Sequence, residues 1–289
     1  MVRMQLLIPD NRGIVPRFQP PVSEAVDAVD LSIQQFAGAW MVMCAPAPGA
    51  SVAVADGIRY IFSGCPIAFF NIALVTERGI AADSLKVHAN HARAWASDKG
   101  VPWMFVVTHE ALGVGVDAGA VLEGCGLSPM MTLTGMLGQR IAPPTSIPSG
   151  LELTMPTDDA GCSAVLDVNG LAYGSDLRAA KDLVGTRSFW SQHFPVLGLI
   201  GGKPVSAAAV LIVDGCRYVA MVATDPDHQR RGYAEAAVRR ALELSARAHG
   251  ERPTVLHATE IGQPMYQRMG YTTLAAHSIY MDTAFLTDH

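Results

Sequence analysis

The sequence predicts an α/β (α+β) protein built as two successive halves, each a mixed, mostly antiparallel sheet flanked by helices. Three observations carry this. The chain has 289 residues, more than one core usually serves. Half of its residues are hydrophobic and 16% are charged, enough apolar material for large cores. Near the midpoint, "GQRIAPPTSIPSG" at 138–150 breaks both helical and strand periodicity with three prolines. The expected division is therefore 1–140, a Pro-rich linker at 141–150, and 151–289.

In the first half a helix is expected over about 22–39, followed by strand-like "SVAVADG", "IRYIFSG" and "FFNIALVTE". A helix with Leu85, Ala89, Ala92 and Ala96 on one face follows, then strand "PWMFVVT" and the segment "VLEGCGLSPMMTLTGM". The second half opens with strand-like "LELTMPT", then helical "DDAGCSAVLDVNGLAYG" and "DLRAAKDLV". "VLGLIGG" and "PVSAAAVLIVDG" form a hairpin through Gly201 and Gly202. Strand "RYVAMVAT", a helix over 233–249, strand "PTVLHATE", a short helix "GQPMYQRMG" and a strand pair within "YTTLAAHSIYMDT" complete the order. "DKGVPWMFVVTHE" parallels "AHGERPTVLHATE", and "LEGCGLSPMMTLTGM" parallels "YQRMGYTTLAAHSIYM". Shared order and shared local signatures point to an internal duplication.

Net charge of −5 gives no basic face for nucleic acid. Five scattered cysteines without a C-x-x-C read as reduced thiols, hence a cytoplasmic protein. No apolar run reaches membrane-spanning length, and the opening "MVRMQLLIPDNRGIVP" is too short in apolar residues for a signal peptide. His88 and His91 stand three apart on a helix, but no third ligand is evident, so no metal site is expected.

The most informative stretch is "VATDPDHQRRGYAEAAVRRALELSARAHG", 222–250. Its helix has an apolar face at Ala234, Ala237, Val238, Ala241, Leu244 and Ala248, with Glu235–Arg239 and Glu243–Arg247 as four-residue ion pairs on the outer face. A helix N-terminus offers unpaired N–H groups and partial positive charge. Gly232 lets backbone approach a ligand, and Arg230 and Arg231 add charge for phosphate oxygens. This is an anion cradle suited to pyrophosphate.

Gln229-Arg230-Arg231-Gly232-Tyr233-Ala234 resembles [QR]-x-x-G-x-[GA], the acyl-CoA pyrophosphate loop of the GNAT superfamily of N-acetyltransferases. "HATEIGQPMYQRMGYTTL" resembles that family's last motif, a strand, a short helix with a tyrosine (Tyr266), then Arg268, Gly270 and Tyr271. The likeness covers 151–289. It implies acetyl-CoA as co-substrate, held by the loop and by the backbone of Met221, Val222 and Ala223 where the sheet splays. It implies direct attack of an amine on the thioester, a carbonyl polarised by a backbone N–H near Val222, and Tyr266 as general acid to the thiolate. The strand "YVAMVAT" lacks the glutamate base many family members carry, leaving Glu260 or His257, with Asp225 or ordered water as further options. Tyr173, Asp176, Phe189, Trp190 and Phe194 are candidates to line the acceptor site or to pack the core. The leading reading is a small-molecule amine acceptor, and the family's frequent dimers leave a homodimer open. A noncatalytic acyl-CoA sensor or scaffold is the alternative. The first half's equivalent loop, "TERGIAADS", has one glycine, one arginine and the repelling Glu77, and Leu122 stands where the second half has Tyr266. It reads as a degenerate copy, unable to bind CoA in the usual way, that packs on the second half.

Overall fold

The computed structural model describes residues 27–144, 146 and 148–286. The opening segment and the first residues of the 22–39 helix lie outside the described residues.

In the first half, helix α1 (Ala28–Cys44) is capped by the Asp27 side chain on the Val29 N–H. Strands β1 (Ser51–Ala55), β2 (Ile58–Phe62) and β3 (Asn71–Val75) pair antiparallel in sequence. Helix α2 (Ala82–Ser97) buries Leu85, Ala89, Ala92 and Ala96, the face read from the sequence. It leads to β4 (Met104–Thr108), parallel to β3. A short α3 (Ala118–Glu123) precedes the long β5 (Leu127–Gly138).

The second half repeats this order. A three-residue β6 (Glu152–Thr154) and α4 (Asp159–Tyr173), capped by Asp158, come first. Two four-residue helices, α5 (Lys181–Val184) and α6 (Arg187–Trp190), lead to β7 (Phe194–Ile200). Gly201 and Gly202, at φ of 57° and 79°, make the tight turn into β8 (Lys203–Val213). Then come β9 (Cys216–Thr224), α7 (Tyr233–His249), β10 (Thr254–Thr259) parallel to β9, the short α8 (Gln263–Arg268) and β11 (Thr272–Asp282). The expected closing strand pair is a single 11-residue strand, carrying two register shifts, because the 12-residue β5 pairs with it from end to end.

Among the described residues the strands join one mixed 11-stranded sheet, ordered β1-β2-β3-β4-β11-β5-β10-β9-β8-β7-β6. The order shows an exchange. The last strand of the second half, β11, pairs with β4 of the first, and the last strand of the first half, β5, pairs with β10 of the second. The two exchanged strands pair with each other at the centre. Neither half therefore completes its sheet with its own residues.

Two apolar cores flank the sheet. One, under α7, gathers Val196, Ala208, Val210, Val219, Ala237, Val238, Ala241, Leu256 and Tyr266, together with Met136 from the first half. The other, larger core holds α1, α4 and the first half. Helix α1 crosses onto the second half: Gln35 donates to the Val213 carbonyl at 3.3 Å, and Phe36 packs edge-on against His257 at 4.7 Å. The buried face of α7 differs from the one expected. It runs Tyr233, Ala237, Val238, Ala241, Leu242 and Ser245, while Ala248 is exposed. The Glu235–Arg239 pair, 2.8 Å apart, is largely buried rather than outward, because Arg239 also donates to the linker carbonyl of Ala142 at 2.6 Å.

Candidate functional site

β9 and β10 begin parallel and then separate. Their register holds only Thr254 opposite Arg217 and Val255 opposite Tyr218, while both strands continue beyond. The divergence leaves a V-shaped opening in the sheet. On one side of it stands α7, on the other α4 and α1.

The wall made by β9 is irregular. The β8–β9 register jumps between Ala207 opposite Ala223 and Ala209 opposite Ala220, leaving Met221 and Val222 outside the ladder. Met221 sits at φ 53°, a conformation that costs a non-glycine residue about 1 kcal/mol and needs support. The support comes from α4. Buried Asn169 donates to the Met221 carbonyl at 3.1 Å, and the Tyr173 hydroxyl donates to the Val222 carbonyl at 3.0 Å. Ala223, last of the expected backbone contributors, has its carbonyl taken by Ser206 at 3.0 Å. Asn169 was missed in the sequence, where an asparagine on an apolar helix face carries no motif.

The loop from β9 to α7 presents Gln229, Arg230, Arg231 and Gly232 to solvent, with Tyr233 buried and Ala234 half-buried behind them. Arg230 and Gly232 are left-handed, at φ 60° and 79°. No side chain caps α7, whereas Asp27, Asp117, Asp158 and Thr186 cap α1, α3, α4 and α6. Among the described residues, the polar bonds from the loop side chains are weak holds on nearby carbonyls: Gln229 to Thr224 at 3.4 Å and Arg231 to Asp227 at 3.1 Å. The first-turn N–H groups and two guanidinium groups thus face outward together, a fit for a pyrophosphate.

Four tyrosines surround the V. Tyr173 bonds Val222, Tyr218 bonds His257 at 2.9 Å, and Tyr271 receives a bond from Thr254 at 2.8 Å. The fourth, Tyr266 on α8, has a buried ring and a hydroxyl with no partner among the described residues. Burial first, then the neighbouring phenols of Tyr271, Tyr173 and Tyr218, push its pKa well above the usual 10, so it stays protonated.

Of the two base candidates, Glu260 is exposed just past the end of β10. His257 lies on the α1 face, its two ring nitrogens engaged by Tyr218 and Ser32, and burial holds its pKa well below 6.5. Asp225 is buried and caps the turn through the Asp227 N–H at 3.0 Å. Among the acceptor candidates, Tyr173 is more than half exposed at the V. Asp176 is exposed and pulled to about 2, chiefly by the Arg178 side chain. Trp190 is core, Phe189 packs on it, and Phe194 lies on the α7 side against His249.

The equivalent opening in the first half is sewn shut. β3 and β4 pair for three residues, and Ile80 then bridges Leu112, with Ile80 and Gly113 N–H groups donating across at 3.1 and 2.8 Å. Arg78 is bound by Asp27 and Asp30 at 2.9 Å each, and Glu77 faces His88 at 3.2 Å. His91 turns to Asp56 instead, 3.3 Å away. Leu122, aligned with Tyr266, is buried.

Residues 170–271, within the second half, match the model of the acetyltransferase (GNAT) family. That family uses acyl-CoA as co-substrate. Among solved structures, a GCN5-related N-acetyltransferase from Kribbella flavida superposes with a TM-score of 0.66 at 19% identity, covering 89% of this chain and 96% of that one. A GCN5-related N-acetyltransferase from Sphaerobacter thermophilus gives 0.57 at 13% identity, covering 88% and 93%. A functionally unknown conserved protein from Staphylococcus epidermidis ATCC 12228 gives 0.55 at 11% identity, covering 81% and 94%. The two-half fold is thus shared across most of the chain. No curated protein matches the sequence.

Proposed function

We propose that residues 151–289 bind acetyl-CoA and transfer its acetyl group to the amine of a small molecule, while residues 1–140, joined by the 141–150 linker, form a degenerate copy that completes the sheet. The observation that carries this reading is the open V between β9 and β10, lying beside an uncapped α7 with two outward arginines. Gln229, Arg230, Arg231 and the N–H groups of Gly232, Tyr233 and Ala234 would hold the pyrophosphate, and the bulged backbone of Met221 to Ala223 the pantetheine arm. Bound acetyl-CoA supplies an activated thioester carbonyl.

The chain's own residues then act as follows. The bulge at Met221, braced by Asn169, frees the Met221 and Val222 backbone from the β8 ladder beside the V, so that an N–H there can meet the carbonyl oxygen as it gains charge in the transition state. Tyr266 gives its phenolic proton to the departing sulfur, the role its partner-free hydroxyl suits. Tyr173, whose ring is solvent-facing, exchanges its bond on Val222 as the pantetheine arm arrives. Removal of the amine proton falls to Glu260 or His257, or to water. Five free thiols accord with a cytoplasmic setting.

The test is calorimetry with acetyl-CoA on the wild type and Gly232→Glu. One site in the wild type, lost in the variant, supports the reading; no binding to the wild type sinks it. A second reading, a noncatalytic acyl-CoA sensor, is favoured by one fact: β9 carries no carboxylate. Release of CoA on offering a panel of amines decides between them.

A further inference from the structure

Five side chains drawn from both halves form an unbroken hydrogen-bonded chain below the V. The Tyr218 hydroxyl on β9 meets His257 Nδ1 at 2.9 Å. His257 Nε2, on β10, lies 3.1 Å from Ser32 Oγ on α1. Ser32 Oγ lies 2.8 Å from His277 Nε2 on β11, and His277 Nδ1 lies 3.0 Å from Thr108 Oγ1 at the end of β4. Ser32, His277 and Thr108 are fully buried. Gly135 on β5 makes the room, since a Cβ there would stand 3.2 Å from His257 Nε2 and press on Ser32. Phe36 closes the other side, against both imidazoles.

Proton counting fixes what such a chain can do. Burial, then the neighbouring His277, holds His257 well below 6.5, and burial, then His109, holds His277 at about 3. Both rings are therefore neutral at neutral pH, with one N–H each. The serine hydroxyl has one proton to give, so it donates to one histidine and accepts from the other. The two rings must then be opposite tautomers. With His257 protonated at Nε2, its Nδ1 accepts the Tyr218 proton and the phenol oxygen offers lone pairs to its surroundings. With His257 protonated at Nδ1, the Tyr218 O–H points outward instead. Tyr218 is the last β9 residue paired with β10, at the apex of the V, and its buried phenol is one of the three whose nearness raises the Tyr266 pKa, so the direction of its O–H is felt at the reacting end of the cleft.

We infer that Ser32, on the first half's α1, is a positioning residue for the second half's cleft: by fixing the proton arrangement of His257 it sets which way Tyr218 presents its hydroxyl to the reacting groups. The inference rests on the acyl-transfer reading, and its test separates the two. In the full chain with 15N-labelled histidine, NMR should show one tautomer for each of His257 and His277, opposite in kind. Ser32→Ala should mix the tautomers and lower kcat for CoA release from acetyl-CoA about tenfold, less than the roughly 100-fold or more that loss of a general acid–base group costs, because Ser32 acts through His257 and Tyr218. Acetyl-CoA affinity and KM should stay within about twofold, as expected when no ground-state contact is lost. Ser32→Cys, which keeps the size and a weak donor, should recover part of the rate. Like tautomers in the wild type, or an unchanged kcat in both variants, overturns the inference. So does a loss of acetyl-CoA binding that parallels the loss of rate. A wild type that does not bind acetyl-CoA overturns the acyl-transfer reading itself, whatever the tautomers show.

Discussion

The two halves were cut to one pattern, yet one V is open and the other closed. After β9 the chain rises into a bare, arginine-bearing helix start, and the bulged strand is held apart from β10 by Asn169 and Tyr173 of α4. After β3 the chain turns back at once, and Ile80 zips onto Leu112. Arg78, the one cation in that loop, is spent on two aspartates at the start of α1. The difference teaches that openness is not a property of the strands. It is set by the residues that follow them, and by whether a neighbouring helix supplies polar side chains to strand carbonyls that would otherwise pair.

The comparison can be broken most severely by separating the halves. Residues 148–289 alone lack β5, so β10 and β11 lose the strand between them. The fragment is expected to aggregate or lack a cooperative melt by size-exclusion chromatography and calorimetry; a soluble, active fragment would refute the shared sheet as a requirement. Next come mirror substitutions at two left-handed glycines. Gly232→Glu should weaken acetyl-CoA binding at least ~100-fold, while Gly79→Glu in the closed half should change it less than about twofold. Each carries a similar backbone penalty of about 1–2 kcal/mol, so the contrast isolates the ligand. Tyr266→Phe should cut turnover roughly 100-fold with affinity unchanged, since only the proton-donating hydroxyl is removed. Asn169→Ala should lower turnover about tenfold and stability by about 1–3 kcal/mol, through relaxation of the bulge, seen in kinetics and denaturant melts.

The smallest effect concerns the polar chain that joins the halves. His277 has a folded pKa of about 3, below its unfolded 6.5. Between those values the unfolded chain binds more protons, so the stabilisation is fully present above pH 6.5 and lost as pH falls toward 3. From pH 6.5 to 5.5 the loss is about 1 kcal/mol, measurable in urea melts, and His277→Leu should flatten that slope.

Much of this was legible in the residues. α7 falls at 233–249 as its apolar spacing and charge pairs indicated, and the Leu85–Ala96 stripe is buried. The loop at Gln229 to Ala234 announced itself because glycine and arginine at a helix start have few other uses. The exchange of last strands was not legible. Alternation along β5 or β11 says that each is a strand, not which neighbour it takes, and both halves offer equivalent partners. Ser32, Tyr218 and His277 were missed for a related reason. They are single polar residues in apolar stretches, and their meaning lies in meeting across more than 200 positions of chain, as Ser32 and His277 do.

The exchanged strands also order events during synthesis. β4 cannot gain its second neighbour until residues 272–282 have been made, because β11 and not β5 lies beside it. The first half must therefore wait on the ribosome with an open apolar edge while the whole second half is translated. Its folding is timed by the last strand to emerge, so slow translation of the second half lengthens the exposure of the first.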